Sequence, residues 1–223
     1  MIIAIDGPAG SGKSTVAKLL AKELGFTYID TGAMYRALAL KIKNSGINPE
    51  DTKSVIEVAR STDIKLQPGE DKVRVFLDGK EVTDLIRTEE IGKIASKIAR
   101  IPEVRKILVE MQRKLGKEAQ NAVIEGRDTG TVIFPDADIK IFMTASPEIR
   151  AKRRFQELKE KFPEISYEEI LKEIKERDLL DETRKDSPLR PAKDAIILDT
   201  SDKTLSQVFQ EVLNIVKSRL DKS

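Results

Sequence analysis

The chain predicts an α/β fold: an open, five-stranded parallel sheet with helices on both faces. Three observations carry that expectation. Short apolar runs alternate with stretches of helical periodicity, the connections are short, and a glycine-rich turn joins the first run to the first helix. Residues 2–5 are continuously apolar, as suits a strand buried on both faces. Val16, Leu19, Leu20 and Leu24 follow at helical spacing, and Gly25 supplies the stop. Residues 26–29 read as a second strand, and Asp30-Thr31-Gly32 opens a helix that Gly46 ends. Asn48-Pro49-Glu50-Asp51 starts another helix. After an interruption, residues 122–124 and 139–143 read as strands three and four, and Ser146-Pro147-Glu148 opens a charged helix. Ser166 and Glu169 have the spacing of a capping box. Residues 195–198 form the last strand, and Thr204 and Gln207 open a final helix with Leu205, Val208, Phe209, Val212, Leu213 and Val216 inward.

The interruption has a different texture. Residues 63–66, 72–77 and 80–82 read as short strands, with Val73, Val75 and Leu77 alternating and Asp78-Gly79 marking a hairpin turn. An antiparallel patch inside a β-α chain is an insertion. Ile91, Ile94, Ala95 and Ile98 mark a helix after it; Pro102 starts the next, with Val104, Ile107, Leu108, Met111 and Leu115 on one face. The expected division is a core of residues 1–62, 102–146 and 185–223, an insert of 63–101, and a helical region of 147–184.

Composition removes whole chemistries. The 223 residues include no Cys, His or Trp. Thiolate and imidazole catalysis, disulfides, and Cys- or His-ligated zinc are therefore excluded. Carboxylates, Lys, Arg, hydroxyls, backbone amides or an oxygen-held cation must do the work. Forty basic against 38 acidic residues leave a net charge of +2, which argues against a dedicated nucleic-acid binder. No apolar run approaches a membrane span, and the run from Met1 to Ile5 meets Asp6 too soon for a signal peptide. Absence of Cys suits a reducing cytoplasm. The Lys-, Glu- and Ile-rich composition suggests heat adaptation, which a mesophile-range melting temperature would contradict.

The sharpest motif is Gly7-Pro8-Ala9-Gly10-Ser11-Gly12-Lys13-Ser14, followed by Thr15. It matches G-x-x-x-x-G-K-[ST] at every fixed position, between a buried strand and an amphipathic helix. Its glycines let backbone N–H groups converge on phosphate oxygens, and the helix N-terminus adds positive potential. Lys13 is placed to reach the β- and γ-phosphates, and the Ser14 hydroxyl to ligate Mg²⁺. The motif places the chain in the P-loop NTPase fold. The motif alone says nucleoside triphosphate; neither an Asn-Lys-x-Asp base reader nor an Asp-x-x-Gly switch is present, which argues against a GTPase.

A kinase must also hold an anionic acceptor, and arginine suits that task. Three arginines stand in short polar motifs, read as lying off regular helix faces. Arg36 ends Asp30-Thr31-Gly32-Ala33-Met34-Tyr35-Arg36 after strand two. Arg127 lies in Glu125-Gly126-Arg127-Asp128-Thr129-Gly130-Thr131 after strand three. Arg184 closes Arg177-Asp178-Leu179-Leu180-Asp181-Glu182-Thr183-Arg184. Strand carboxyl ends are where open α/β sheets bind ligands. On residue type alone, Ser96 reads as a solvated helix serine, Arg105 as a surface residue, Tyr35 as packing, and Asp181 with Arg184 as a weak ion pair.

These motifs, with the antiparallel insert and Ile86-Arg87-Thr88, make the chain resemble the bacterial cytidylate kinases over essentially its whole length. The resemblance implies transfer of the γ-phosphate of ATP to CMP or dCMP. It makes the insert the nucleoside-monophosphate-binding part and residues 147–184 a helical lid. It implies that Arg36, Arg127 and Arg184 bind the acceptor phosphate. Tyr35 and Asp181 would hold ribose hydroxyls with Thr31 nearby, and Ser96, Arg105 and Asp128 would read cytosine. That last role is sound chemistry, because a carboxylate accepts from the exocyclic amine while Arg and Ser donate to the ring acceptors.

Arg150, Lys152, Arg153, Arg154, Lys159 and Lys161 make a basic helix, expected to be mostly solvated. Arg150, Arg154 and Arg177 are the candidates for reaching ATP from a mobile lid, with Arg154 taken as the ATP contact. Leu179-Leu180 is read as packing the lid on the core. Rival readings are a kinase for another nucleotide or a metabolite such as shikimate, an ATP-switched binding module, and an RNA binder using the basic helix. The 4% aromatic content weighs against the last. No apolar helix face demands a partner, so a monomer is expected.

Overall fold

The structure, a computed structural model, describes residues 1–69 and 72–220; residues 70, 71 and 221–223, which the expected insert and core include, lie outside the described residues. The chain begins with β1 (Ile2–Asp6), α1 (Lys13–Leu24), β2 (Thr27–Asp30), α2 (Thr31–Asn44) and α3 (Thr52–Arg60). The inserted patch follows as β3 (Ile64–Gln67), β4 (Arg74–Leu77), β5 (Lys80–Glu81), a 3₁₀ turn (Leu85–Arg87) and α4 (Glu89–Ile98). Then come α5 (Pro102–Ala119), β6 (Ala122–Gly126), a π-helical turn (Thr129–Ile133) and β7 (Ile139–Thr144). The chain closes with α6 (Pro147–Leu158), α7 (Tyr167–Glu182), β8 (Ile196–Asp199) and α8 (Leu205–Leu220).

Five strands form one all-parallel sheet in the order β2-β6-β1-β7-β8, and β3-β4-β5 form a separate antiparallel sheet. The central position of β1, paired to β6 on one side and β7 on the other, sets the loops after these strands side by side. The element boundaries follow local chemistry. The Asp30 carboxylate accepts from Ala33 N–H at 2.9 Å, so β2 turns into α2 with no intervening residue. Ser166 and Glu169 make both bonds of the capping box on α7. Thr204 and Gln207 make the same reciprocal pair before α8. Asp78 (φ 48°) and Gly79 (φ 81°) both take positive φ, the geometry a two-residue hairpin demands.

One apolar cluster lies between the sheet and α1/α8, with Ile3, Ile5, Val16, Leu20, Ile141, Met143 and Val212 fully or almost fully buried. The opposite cluster joins Leu38 and Ile42 of α2 to Val75, Ile86 and Ile98 of the insert and Leu108 of α5. The insert is thus welded to α2 and α5 by shared burial. Ala151, Ile170 and Ile174 form a small separate cluster between α6 and α7.

Leu179 and Leu180 depart from expectation: they do not pack on the core, and Leu179 is 61% exposed. They lie five and six residues beyond Ile174, which turns them far from the α7 face that packs on α6. The π turn at Thr129–Ile133 was not expected either.

Candidate active site

β1 ends at the buried Asp6, and the phosphate loop wraps away from it. The loop is too close to β7 for a side chain at its first position: a Cβ on Gly7 would lie 2.2 Å from the Met143 carbonyl oxygen. Gly10 (φ 76°) and Gly12 (φ 85°) take the left-handed conformation that glycine supplies. Gly12 caps α1 without a side-chain acceptor, so the first-turn amides of α1 receive no side-chain cap from it.

A buried carboxylate anchors this loop from β6. The Ser14 hydroxyl donates to Glu125 Oε1 at 2.8 Å, the Tyr28 hydroxyl donates to the same oxygen at 3.1 Å, and Lys13 Nζ lies 3.7 Å from Oε2. Burial, with help from Arg127, pushes the Lys13 ammonium down to about 8. Burial alone would raise the Glu125 carboxyl, but Lys13 and the Ser14 hydroxyl hold it below the usual carboxylate range. Among the described residues no group of three or more acidic side chains forms a metal cage. The hydroxyl and carboxylate are hard oxygen donors, and their chemistry would fit a Mg²⁺.

The residues expected to bind an acceptor lie in part just beyond the carboxyl ends of β2 and β6. Arg105 and Asp128 are both nearly fully buried and form a short ion pair, with Arg105 also donating to Ala99 O at 3.1 Å. The Arg105 guanidinium lies over the Tyr35 ring, 5.3 Å from its centre. Arg127 Nε donates to Asp181 Oδ2 at 2.9 Å, and Arg184 Nη1 lies 3.8 Å from Asp181 Oδ1. Thr31 donates its hydroxyl to Glu125 O at 2.8 Å, locking the start of α2 against β6. Ser96 is half-buried on α4. Arg36 corrects one expectation, because it lies within α2 rather than off a helix. Its Nη1 donates to Ile86 O at 3.0 Å and Thr88 O at 3.3 Å, which ties it to the insert.

The helical region places its arginines unequally. Arg150 is buried: it donates to Ala9 O in the phosphate loop at 3.2 Å and grips Asp178 with both terminal nitrogens at 2.9 and 2.6 Å. Arg153 donates to Thr200 O at 2.6 Å, so these two are not the solvated face expected of the basic helix. Arg154 points instead to the insert, donating to Glu89 Oε1 at 2.8 Å. Arg177 lies between these groups, and burial plus the charge of Arg127 push it down to about 10.

Sequence reasoning passed over Glu125, Tyr28, Asp6 and the 3.6 Å pair of Arg87 with Asp30. Glu125 had a signal: a carboxylate inside an otherwise apolar buried strand needs a cationic or donor partner.

Several buried polar atoms lack a protein partner, among them the Tyr35 hydroxyl and the Nε of Arg105, Arg177 and Arg184 here, and the Gln112 amide on α5. Such atoms are rare in folded proteins. A P-loop on a five-stranded parallel sheet, faced by clustered arginines, defines a small P-loop phosphotransferase. The chain belongs to the cytidylate kinase family, which matches residues 3–218. It is 55% identical over 215 residues to a cytidylate kinase of Caldanaerobacter subterraneus subsp. tengcongensis, covering 96% of this chain and 94% of that one. It is 48% identical over 221 residues to a cytidylate kinase of Carboxydothermus hydrogenoformans, covering 99% of each. A solved but uncharacterized protein from Eubacterium ventriosum shares the fold, with a TM-score of 0.52 at 15% identity over 98% of this chain and 99% of that one.

Proposed function

We propose that the chain transfers the γ-phosphate of ATP to CMP or dCMP, giving ADP and CDP or dCDP. One observation supports the reading beyond family membership: Tyr35 and Arg105, two of the residues read as acceptor contacts, and Arg184, a third, each keep a buried polar atom without a protein partner. Donors fixed in a dry site before the substrate arrives suit a reaction run by positioning and charge stabilisation.

In this reading Gly7–Thr15 cradle the triphosphate, and Lys13 neutralises its terminal phosphates. Ser14, steadied by Glu125, would hold Mg²⁺. Bound there, a Mg²⁺ would supply charge neutralisation for the phosphates. Arg36, Arg127 and Arg184 bind the acceptor phosphate. Because that phosphate is already anionic, no general base is required. Tyr35 and Asp181 hold the ribose, with Thr31 bordering it. Ser96, Arg105 and Asp128 read the base, Asp128 accepting from the exocyclic amine. Residues 63–101 serve as the monophosphate-binding insert and 147–184 as a lid on the core. Arg154 reaches ATP when that lid closes, beside Arg150, which already touches the loop. The enzyme works as a cytoplasmic monomer, with its substrates small nucleotides rather than nucleic acid or membrane.

A coupled ADP-release assay over a panel of acceptors tests this. CMP and dCMP should support turnover well above UMP, AMP, GMP and shikimate. A dominant response to another acceptor would reassign the kinase. ATP binding with no transfer to any acceptor would favour the nucleotide-switched module.

A further inference from the structure

Asp6 is buried, 5% exposed, and has no role in the mechanism above. Its two oxygens are nevertheless both used. Oδ1 accepts from Thr129 N–H and Oδ2 from Gly130 N–H, each at 2.8 Å, across more than 120 residues of sequence. Those two amides open the π turn Thr129–Ile133. The first amides of any helical turn lack partners within it. The turn's own bonds run from Val132 and Ile133 N–H to Asp128 O, at 2.8 and 3.1 Å, and from Phe134 N–H to Thr129 O at 2.8 Å. A carboxylate from β1 therefore caps a turn on the neighbouring strand's loop. Gly130 leaves room for this approach: a Cβ there would meet the Lys140 side chain at 3.2 Å and Asp6 Oδ2 at 3.5 Å.

The placement matters on both sides. Asp6 is followed directly by Gly7, the first residue of the phosphate loop. The turn it caps is preceded directly by Arg127 and Asp128, assigned to acceptor phosphate and base. One side chain thus bolts the acceptor-reading loop to the donor-binding loop. We propose that Asp6 is a positioning residue that keeps the two substrate loops in register for transfer. The inference rests on the CMP kinase reading. A charged acceptor of two backbone N–H groups also makes stronger bonds than a neutral one would.

Asp6→Asn keeps the shape but presents an NH₂ group to one of the two amides. The kcat/KM for CMP should fall by about tenfold or more, as loss of a buried charged hydrogen bond implies. The Kd for ATP should stay within about twofold, because the phosphate loop keeps its own contacts. Hydrogen exchange at Thr129 and Gly130 should quicken while the β6 amides stay protected. In an Asp128→Ala background, Asp6→Asn should cost little further base discrimination. Parallel losses of ATP affinity, melting temperature and CMP turnover would show a merely structural role and overturn the inference, as would unchanged CMP kinetics. Should Asp6→Asn fail to fold, exchange in the wild-type chain decides: without CMP, the Thr129 and Gly130 amides should be as protected as those of β1, and fast exchange overturns the lock. Wild-type protein that phosphorylates no CMP sinks the functional reading and this inference together. An active wild type whose Asp6→Asn variant loses ATP binding in step sinks the inference alone.

Discussion

Lys13 brings a positive charge into a buried site beside Arg127, and its ammonium is pushed down from the ordinary 10.5 to about 8. Between those values the unfolded chain binds the proton more tightly than the folded one. The ligand-free enzyme therefore gains stability from this group as pH rises from about 8 towards 10.5. A triphosphate favours the charged form and reverses the shift. ATP binding at pH 8.5 should take up a proton, seen by calorimetry in two buffers of different ionisation heat, and should weaken at higher pH. Zero uptake would contradict the placement of Lys13 on the phosphates. Two neighbours separate transfer from selection. Arg127→Ala should lower kcat by at least about a hundredfold with little change in ATP affinity, since charge stabilisation acts on transfer. Asp128→Ala should erode the preference for CMP over other monophosphates. Lys13 and Ser14 were legible because the motif fixes their spacing on one turn. Glu125 and Tyr28 were not, because they meet Ser14 only through the pairing of β1 with β6 and β6 with β2.

At the scale of the element, legibility followed how local the cause was. Helix starts at Asp30, Ser166 and Thr204 were readable because each cap bonds a residue only three positions on. The Asp78-Gly79 hairpin was readable for the same reason. The π turn was hidden, because its cap comes from Asp6 on another strand. Strand ends slipped by a residue or two: the stretch read as 80–82 is strand over Lys80–Glu81, with Val82 N–H adding one bond to Val75 O. Leu179 and Leu180 misled because their helix is anchored through a face they do not share. The Ser166 cap gives a clean test. Ser166→Ala removes the acceptor for the Glu169 amide and should cost about 1 kcal/mol, a fall of about 2–4 °C in thermal unfolding. Because α7 also carries Asp181, read as a ribose contact, the same change should raise the KM for CMP, which steady-state kinetics would show.

Across the whole molecule, the near-neutral total hides a division of labour among charges. Most ion pairs are exposed and weak, while the Arg105–Asp128 pair is buried and the Arg127–Asp181 and Arg150–Asp178 pairs largely so. Three of the weaker contacts join the insert side to the helical region: Arg154 with Glu89, Lys93 with Glu173, and Arg100 with the Leu180 carbonyl. Exposed pairs contribute at most about 1 kcal/mol each, so they set a preference between arrangements without fixing one. If Arg154 is the ATP contact proposed above, Glu89 competes with ATP for it in this arrangement. Glu89→Gln should release Arg154 and lower the KM for ATP by up to about fivefold, the equivalent of one such pair. Arg154→Ala should raise that KM, and the double variant should behave like Arg154→Ala, because the glutamate acts only through the arginine. Added salt should mimic Glu89→Gln in the wild type and do less in the variant, since screening weakens an exposed pair. Steady-state kinetics at two ionic strengths measure all four cases. An ATP KM that ignores both substitutions would remove Arg154 from the ATP site and leave Arg150 and Arg177 as the lid's contacts with the triphosphate.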